Sequence, residues 1–331
     1  MEKLLEAARA LYPLEDCECR PVPGHEGGRN LIYTCRWNGE PRYALRISIL
    51  DDRTEEDCLA ETEFVRYLAQ NGAPVADVIP SRCGRLVERV EQEGKQHFVS
   101  LFAWAPGVLM VDNGYRYREG APLSEYFYNT GKALGAIHRL SKVYKPVHRR
   151  PAFFDKYDMD YLDRLIPDEY AALKRAIARR LEEFQKLPTD AESFGLVHFD
   201  FSDGNYHADM KTGALTAFDF DNCMYCWYMF DLANLWVHGE GWFRAEKDPK
   251  ARLDGMRRYF ETILQGYRSE TDVSEALLAQ LPLFIDMTLI EAIVDEFEVS
   301  AREGEALDYE DIEDAAECLI HDIPWAGIGA D

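Results

Sequence analysis

Residues 196–235, LVHFDFSDGNYHADMKTGALTAFDFDNCMYCWYMFDLANL, decide how the rest of the chain is read. An apolar approach, Phe194 to Val197, gives way to a polar loop, His198-Phe199-Asp200-Phe201-Ser202-Asp203-Gly204-Asn205. A second apolar run, Leu215-Thr216-Ala217-Phe218, ends on Asp219-Phe220-Asp221. Short runs bounded by turn signals, here Asp203-Gly204 and Lys211-Thr212-Gly213, predict two short strands. The acids therefore fall at strand ends and in loops, where a rigid scaffold presents reactive groups.

This spacing suits transfer of a phosphoryl group. One acid must orient and deprotonate an attacking hydroxyl, and oxygen ligands must hold a hard cation against nucleotide phosphates. Asp200 meets the first need, and Asn205 with Asp219 the second. Turn capping accounts for Asp203-Gly204, but not for Phe-Asp-Phe-Asp in an apolar context, where an unpaired carboxylate is costly. Asp221 follows Asp219 by two residues, so on an extended backbone both carboxylates point the same way. It reads as a partner of the metal acid, a substrate contact or a solvated turn residue. His207, two residues after Asn205, is a substrate-contact candidate that spacing leaves open.

In combination, His-x-Asp-x-x-x-x-Asn, an apolar strand, Asp-Phe-x and a later Asp-Leu-Ala resemble the aminoglycoside phosphotransferase and choline kinase superfamily, the small-molecule branch of the protein-kinase-like fold. The matching residues are His198, Asp200 and Asn205, then Asp219, then Asp231-Leu232-Ala233. The resemblance implies an α+β protein in two lobes: a small N-terminal antiparallel sheet with one main helix, and a larger, mostly helical C-terminal lobe. It implies transfer of the γ-phosphate of ATP or GTP to a hydroxyl of a small molecule, with Mg2+ as cofactor. Asp200 becomes the base and Asn205 and Asp219 the metal ligands. His198 and Asp231 become structural supports of the loop.

Toward the N-terminus, Leu4, Leu5, Ala8 and Leu11 have helical spacing. A loop with Gly27 and Gly28 precedes an apolar run from Leu31 to Trp37. Asn38-Gly39 signals a hairpin, and Tyr43 to Ile47 resumes a strand. The glycines let backbone N–H groups approach phosphates without a Cβ clash. Where the superfamily usually carries Lys in the following strand, Ala-Leu-Arg-Ile here places Arg46. Arg46 keeps the charge and adds a bidentate fork. Its carboxylate partner belongs on a helix over residues 55–71, stopped by Gly72. The family pattern favours Glu61 there, leaving Glu63 a solvated charge. Strands near residues 86–91 and 97–102 follow. Phe102-Ala103-Trp104-Ala105-Pro106-Gly107 fits a hinge where the nucleotide base is met, with Phe102 and Trp104 beside it. Residues 1–102 then form the nucleotide-binding lobe, 103–107 the hinge and 108–331 the catalytic and substrate lobe.

Downstream, helices are expected over residues 126–140, with a structural His138, and over 160–186, broken at Pro167 and lying over the substrate cleft. Three more are expected near residues 250–269, 273–302 and 308–320. Glu291, Asp295 and Glu298 share one helix face. They are either an exposed face or, as the antibiotic and choline branches imply, acids that receive a substrate amine. Trp227, Tyr228, Trp236 and Trp242 read as core packing or as a cation–π box for a quaternary amine.

Composition narrows the partners. Lys plus Arg is 37 and Asp plus Glu is 60, a net charge of −23. That balance argues against nonspecific nucleic-acid binding and anionic membrane surfaces, and it is compatible with a cationic small substrate. MEKLLEAARALYP lacks a basic start and a long apolar core, so no signal peptide is expected. Eight cysteines without a disulfide-like framework suggest a reducing compartment, the cytoplasm. Cys223 and Cys226 lack the second pair of a zinc ribbon and read as packing. A catalytically silent nucleotide-binding regulator of the same fold is the alternative, favoured only by Arg46 in place of Lys. A protein kinase is disfavoured: there is no Ala-Pro-Glu-like segment, and the stretch from Asp219 to Asp231 is too short for an activation loop.

Overall fold

Alternation of Tyr33, Cys35, Leu45 and Ile47 builds the sheet. In the computed structural model, which describes residues 2–22, 29–50, 52–304 and 306–325, β2 (Asn30–Trp37) and β3 (Glu40–Ser48) form a hairpin. Asn38 and Gly39 make its turn at φ of 50° and 84°, as a primed two-residue turn requires. β1 (Cys17–Pro21) pairs with β2, and β6 (Lys95–Ala103) pairs with β3. β4 (Val78–Ile79) and β5 (Glu88–Gln92) share the far edge of β6, and all these pairings are antiparallel. Leu45 and Ile47 are buried with Tyr33, Cys35, Val99 and Leu101, against Leu4 and Ala8 of α1 (Glu2–Ala10) and against Tyr12. Period-two alternation sends Arg46 to the opposite face. There it meets α2 (Glu55–Gln70), which a Thr54–Asp57 capping box opens.

This sheet with α1 and α2, Met1–Gly120, forms one compact unit together with Tyr144–Arg150 and Asn205–Asp221. The last segment carries β8 (Tyr206–Ala208) and β9 (Leu215–Ala217), a two-stranded ribbon. Ala217 N–H donates to the Pro74 carbonyl at 2.8 Å, and its own carbonyl accepts from Ala76 N–H at 2.8 Å, fixing the ribbon to the chain before β4.

The second unit, Ala121–Val143, Pro151–Gly204 and Asn222–Asp331, is mostly helical. It holds α3 (Leu123–Ser141), α4 (Phe153–Lys156), α5 (Met159–Leu165), α6 (Ala171–Phe184), α7 (Tyr228–Phe243), α8 (Pro249–Arg268), α9 (Glu275–Leu278), α10 (Leu281–Glu303) and α11 (Glu313–His321). β7 (Phe194–Val197) pairs antiparallel with β10 (Met224–Trp227). The architecture is thus α+β, a small antiparallel sheet and a larger helical body. Among the described residues, no helix is long and apolar enough to cross a membrane.

The two short strands expected at Phe194 to Val197 and from Leu215 form as β7 and β9, and each pairs with a strand too short to show a periodic pattern, β10 and β8. One helix is corrected. The helix expected over residues 273–302 is two, because α9 stops and α10 restarts after Gln280 with Pro282 in its first turn. Trp227, Tyr228 and Trp236 are buried, and Trp227 donates Nε1–H to the Pro188 carbonyl at 2.8 Å, so they pack the core and form no open cage. Cys223 and Cys226 are likewise buried free thiols.

Helices α3 and α8 touch backbone to backbone. A Cβ built on Gly131 would lie 1.8 Å from the Ile263 carbonyl oxygen. Gly131→Ala is therefore expected to cost about 1–3 kcal/mol by overpacking, read as a lower denaturant midpoint. An unchanged midpoint would mean that the crossing opens freely.

Candidate functional site

In the sheet unit, Arg46 is the central charge. Its Nη1 donates to Glu61 Oε1 at 2.8 Å and its Nη2 to Glu61 Oε2 at 2.5 Å, a bidentate pair with both partners buried. Its guanidinium carbon lies 4.9 Å from the centroid of the Phe102 ring. Burial alone would lower the Arg46 pKa, but Glu61, with Asp221 and Asp219, outweighs it and raises the pKa above its ordinary value. Arg46 is therefore always cationic. Glu63 is not the solvated charge expected: its carboxylate accepts from the His148 backbone N–H at 3.2 Å and contacts His148 Nδ1 at 2.8 Å.

Asp219 and Asn205 come together in the same unit. Phe218 N–H donates to the Asn205 carbonyl at 2.9 Å, which sets the two segments side by side. Asp219 is at φ 62°, in the left-handed region. The backbone is thus not extended, and the carboxylates of Asp219 and Asp221 do not share an environment. The Asp219 side chain is 48% exposed and lies 3.9 Å from Arg46 Nη1, whereas the Asp221 side chain is only 13% exposed. Asp221 Oδ1 is 3.1 Å from Arg29 Nη1, and its Oδ2 accepts from Asn30 Nδ2 at 2.6 Å. Burial pushes this carboxyl up, but Arg46, Arg29, Arg53 and the Asn30 bond prevail and hold it at about 2. Asp221 is therefore not a solvated turn residue.

Two oxygen ligands are what Mg2+ takes from protein in a nucleotide site, where phosphates and water complete the shell. Asn205 and Asp219, set side by side with the Asp219 carboxylate open, fit that demand. Gly27 and Gly28 lie outside the described residues. Trp104 packs edge-on to His207 at 5.6 Å between centroids. His207 Nδ1–H donates to the Ala105 carbonyl at 2.8 Å, the only role a ring nitrogen can play toward a carbonyl. Burial lowers the His207 pKa, so the ring is neutral near pH 7 and joins β8 to the chain at Ala105.

In the helical unit, the loop at residues 198–204 is pinned from below. Asp231, fully buried on α7, accepts the His198 N–H at 3.0 Å and the Phe199 N–H at 2.9 Å. It also contacts His138 Nε2 at 3.1 Å. Burial, only partly offset by Asp231, lowers the His138 pKa, so at neutral pH Nε2–H donates while Nδ1 accepts from Tyr267 O–H. Phe199 sits at φ 70° and its ring stacks on Phe230 at 4.1 Å and 3°. Phe199 and Phe201 are buried, while Asp200 between them is only partly so. The loop thus presents the Asp200 carboxylate from a backbone anchored at His198 and Phe199, while Asp203, also partly exposed, accepts from Tyr126 O–H at 2.8 Å.

The acids of α10 lie in this unit too, and they are not a uniform solvated face. Glu298 accepts from Tyr161 O–H at 2.5 Å and from Lys156 Nζ at 3.1 Å. Asp295 is exposed, but Glu291 is only partly open. Burial, then Asp295, raises the Glu291 carboxyl to about 8, with Asp200 and Glu298 adding to the rise and Lys156 opposing it. Burial, then Glu291, Glu298 and Asp295, raises the Tyr157 hydroxyl, so it stays protonated. Lys156, Tyr157, Tyr161, Arg29, Arg53 and Arg150 are participants that motif reading missed, because each lies far in sequence from the acid it serves.

A model of the Phosphotransferase enzyme family matches residues 21–271. Among curated proteins, the chain is 28% identical over 289 residues to amicoumacin kinase of Bacillus subtilis (strain 168), covering 86% of this chain and 81% of that protein. Its fold resembles amicoumacin kinase hAmiN, solved in complex with AMP-PNP, Ca2+ and Ami, with a TM-score of 0.81 and 22% identity over 98% of this chain and 94% of that one. A microcompartment-associated aminopropanol kinase gives a TM-score of 0.72 at 18% identity, over 98% and 100% of the two chains.

Replacing Asp231 by Ala would strand the His198 and Phe199 N–H groups and His138 Nε2–H, at a cost on the order of 1–3 kcal/mol per buried donor. A thermal-denaturation comparison should show a large loss of stability. A loss no greater than that of an exposed Asp→Ala substitution would contradict the pinning.

Proposed function

We propose, for a chain that belongs to the phosphotransferase enzyme family, that it moves the γ-phosphate of ATP or GTP to a hydroxyl of a small amine-bearing molecule. The observation that carries this reading is the partly exposed carboxylate of Asp200, held between two buried phenylalanines on a loop pinned by Asp231. A carboxylate so fixed is suited to orient a hydroxyl and take its proton as the bond to phosphorus forms.

The remaining roles follow by charge. Arg46, squared by Glu61, offers fixed positive charge to the nucleotide phosphates, and Gly27 and Gly28 cover them on sequence grounds. Asn205 and Asp219 would hold Mg2+, which when bound neutralises charge on the phosphates. Phe102 and Trp104 flank the nucleotide. Most of the acceleration then comes from positioning and preorganised charge. The eight cysteines are free thiols, which fits a cytoplasmic location.

An amine on the acceptor is supported by Glu291, with Asp295 beside it. A carboxyl that desolvation keeps protonated despite Lys156 gives that proton up when an ammonium group arrives beside it. Aminopropanol kinase, by name, acts on an amino alcohol, which supports the same class. Which alcohol is a matter for the site and not the fold.

A coupled assay of nucleotide turnover with Mg2+ over hydroxylated amines, aminoglycosides and sugars tests the reading. An amine-bearing acceptor should raise turnover, and Asp200→Asn should lower kcat by about 10²–10⁴-fold while leaving nucleotide affinity intact. Equal turnover in Asp200→Asn would refute the role of the base. Nucleotide binding with no responsive acceptor would favour the silent regulatory reading.

Glu291 gives a separate outcome. Its folded pKa of about 8 stands above the ordinary 4.5, so the folded chain holds the extra proton between those values. Stability of the unliganded protein should therefore fall as pH rises through that window, and Glu291→Gln should flatten the slope. Calorimetry at pH 7 in buffers of different ionisation enthalpy should show proton release on binding of an amine acceptor. Release that persists in Glu291→Gln would place the proton elsewhere.

A further inference from the structure

Asp221 and Arg150 lie outside the chemistry proposed above, yet with Arg29, Asn30, Arg53 and Asp57 they make a polar cluster in the sheet unit. Arg150 is buried, at 5% exposure. Its Nη2 donates to the Asp221 backbone carbonyl at 2.7 Å. Its Nη1 lies 3.4 Å from the Asp57 carbonyl, to which it donates, and 3.8 Å from Asp57 Oδ1. Asp57 is the capping-box residue of α2, and Glu61 follows it by one helical turn on the same face. One side chain thus reaches both the helix that carries Glu61 and the segment that carries Asp219.

The Asp221 carboxylate completes the tie. Arg29 Nη1 and Arg53 Nη2 lie 3.1 Å and 3.5 Å from its Oδ1, and Asn30 Nδ2 donates to its Oδ2 at 2.6 Å. Arg53 Nη2 also donates to its carbonyl at 3.4 Å. Asn30 opens β2 and accepts from Ser48 Oγ at the end of β3 at 3.0 Å, so the cluster reaches the strand that carries Arg46. Two residues earlier, Asp219 is held in the left-handed region, a conformation that an Asp keeps only where its surroundings over-determine it.

We propose that Arg150 and Asp221 are positioning residues: together they fix the backbone of residues 219–221 to α2 and β2, so that the Asp219 carboxylate and the Arg46–Glu61 pair stand in one geometry toward the nucleotide and its cation. The proposal rests on the phosphotransferase reading of Asp219 and Arg46. A cluster serving the fold alone has less need of charge, since well-packed apolar groups often replace buried ion pairs without loss. What the charged cluster adds is direction, because an Arg fork and a carboxylate accept few geometries.

The test compares full-length wild type with Asp221→Asn, Arg150→Met and Arg150→Lys. Nucleotide affinity is measured by calorimetry with and without Mg2+, and amide hydrogen exchange is followed with neither present. Asp221→Asn and Arg150→Met should weaken binding in Mg2+ by about 10–100-fold, the usual cost of losing a group that orients a metal ligand. They should change metal-free binding much less, and Arg150→Lys should recover part of the loss. Exchange at Phe220 to Asn222 should quicken in both weakened variants while the core of β3 stays protected. Wild-type metal dependence in folded Asp221→Asn and Arg150→Met, or equal losses with and without Mg2+, would overturn the proposal. If wild type itself binds no nucleotide with Mg2+, the underlying phosphotransferase reading fails, and the positioning role with it.

Discussion

Arg46 and Glu61 are two opposite charges taken out of water, and much of the sheet unit follows from keeping them paired. Desolvating either one alone is costly, so the pair is tolerable only with both forks matched. Matching requires that β3 present Arg46 away from the Leu45–Ile47 side and that α2 begin where Glu61 can reach it. The strand's period-two alternation supplies the first condition, and the Thr54–Asp57 capping box supplies the second by fixing where α2 starts. The Phe102 ring adds a cation–π contact to the guanidinium.

Two non-glycine residues in the left-handed region mark the two segments richest in candidate chemistry. Phe199 precedes Asp200, and Asp219 is itself the open acid. Each segment is held by buried aromatic neighbours: Phe199 stacks on Phe230, and Phe220 packs edge-on to Phe64 at 6.1 Å. Each is also tied by a carboxylate that takes no part in the proposed chemistry. Asp231 accepts backbone N–H groups in the helical unit, and Asp221 takes arginines and Asn30 in the sheet unit. At these two positions the left-handed backbone coincides with polar anchoring and ring packing.

Much of this was legible in the sequence where physics is local. The hairpin at Asn38-Gly39 and helix α2 with its stop at Gly72 depend on near neighbours or on alternation, whereas Glu61 as the partner of Arg46 comes from the family pattern. Strands β8 and β10 were not legible, because three or four residues such as Tyr206–Ala208 have no period to detect. The divergence of Asp219 from Asp221 was hidden too, since it turns on one positive φ that neither residue type announces. Arg150 joins Asp221 across 71 positions, and His148 joins Glu63 across 85, distances over which no spacing rule operates. The acids of α10 stood in register in the sequence. Only the fold separates Glu298, held by Tyr161 and Lys156, from Glu291, whose burial changes its protonation.

Nucleotide affinity of an Arg46→Met, Glu61→Leu double variant, measured with Mg2+ beside wild type, tests most directly whether this buried pair exists to hold phosphate charge. Removing both charges leaves neither stranded, so the protein should stay folded with a similar midpoint. Affinity should nonetheless fall by about ten- to a hundredfold, the worth of one charge-assisted hydrogen bond. A folded double variant that binds nucleotide as wild type does would show that Arg46 serves the fold and not the phosphates.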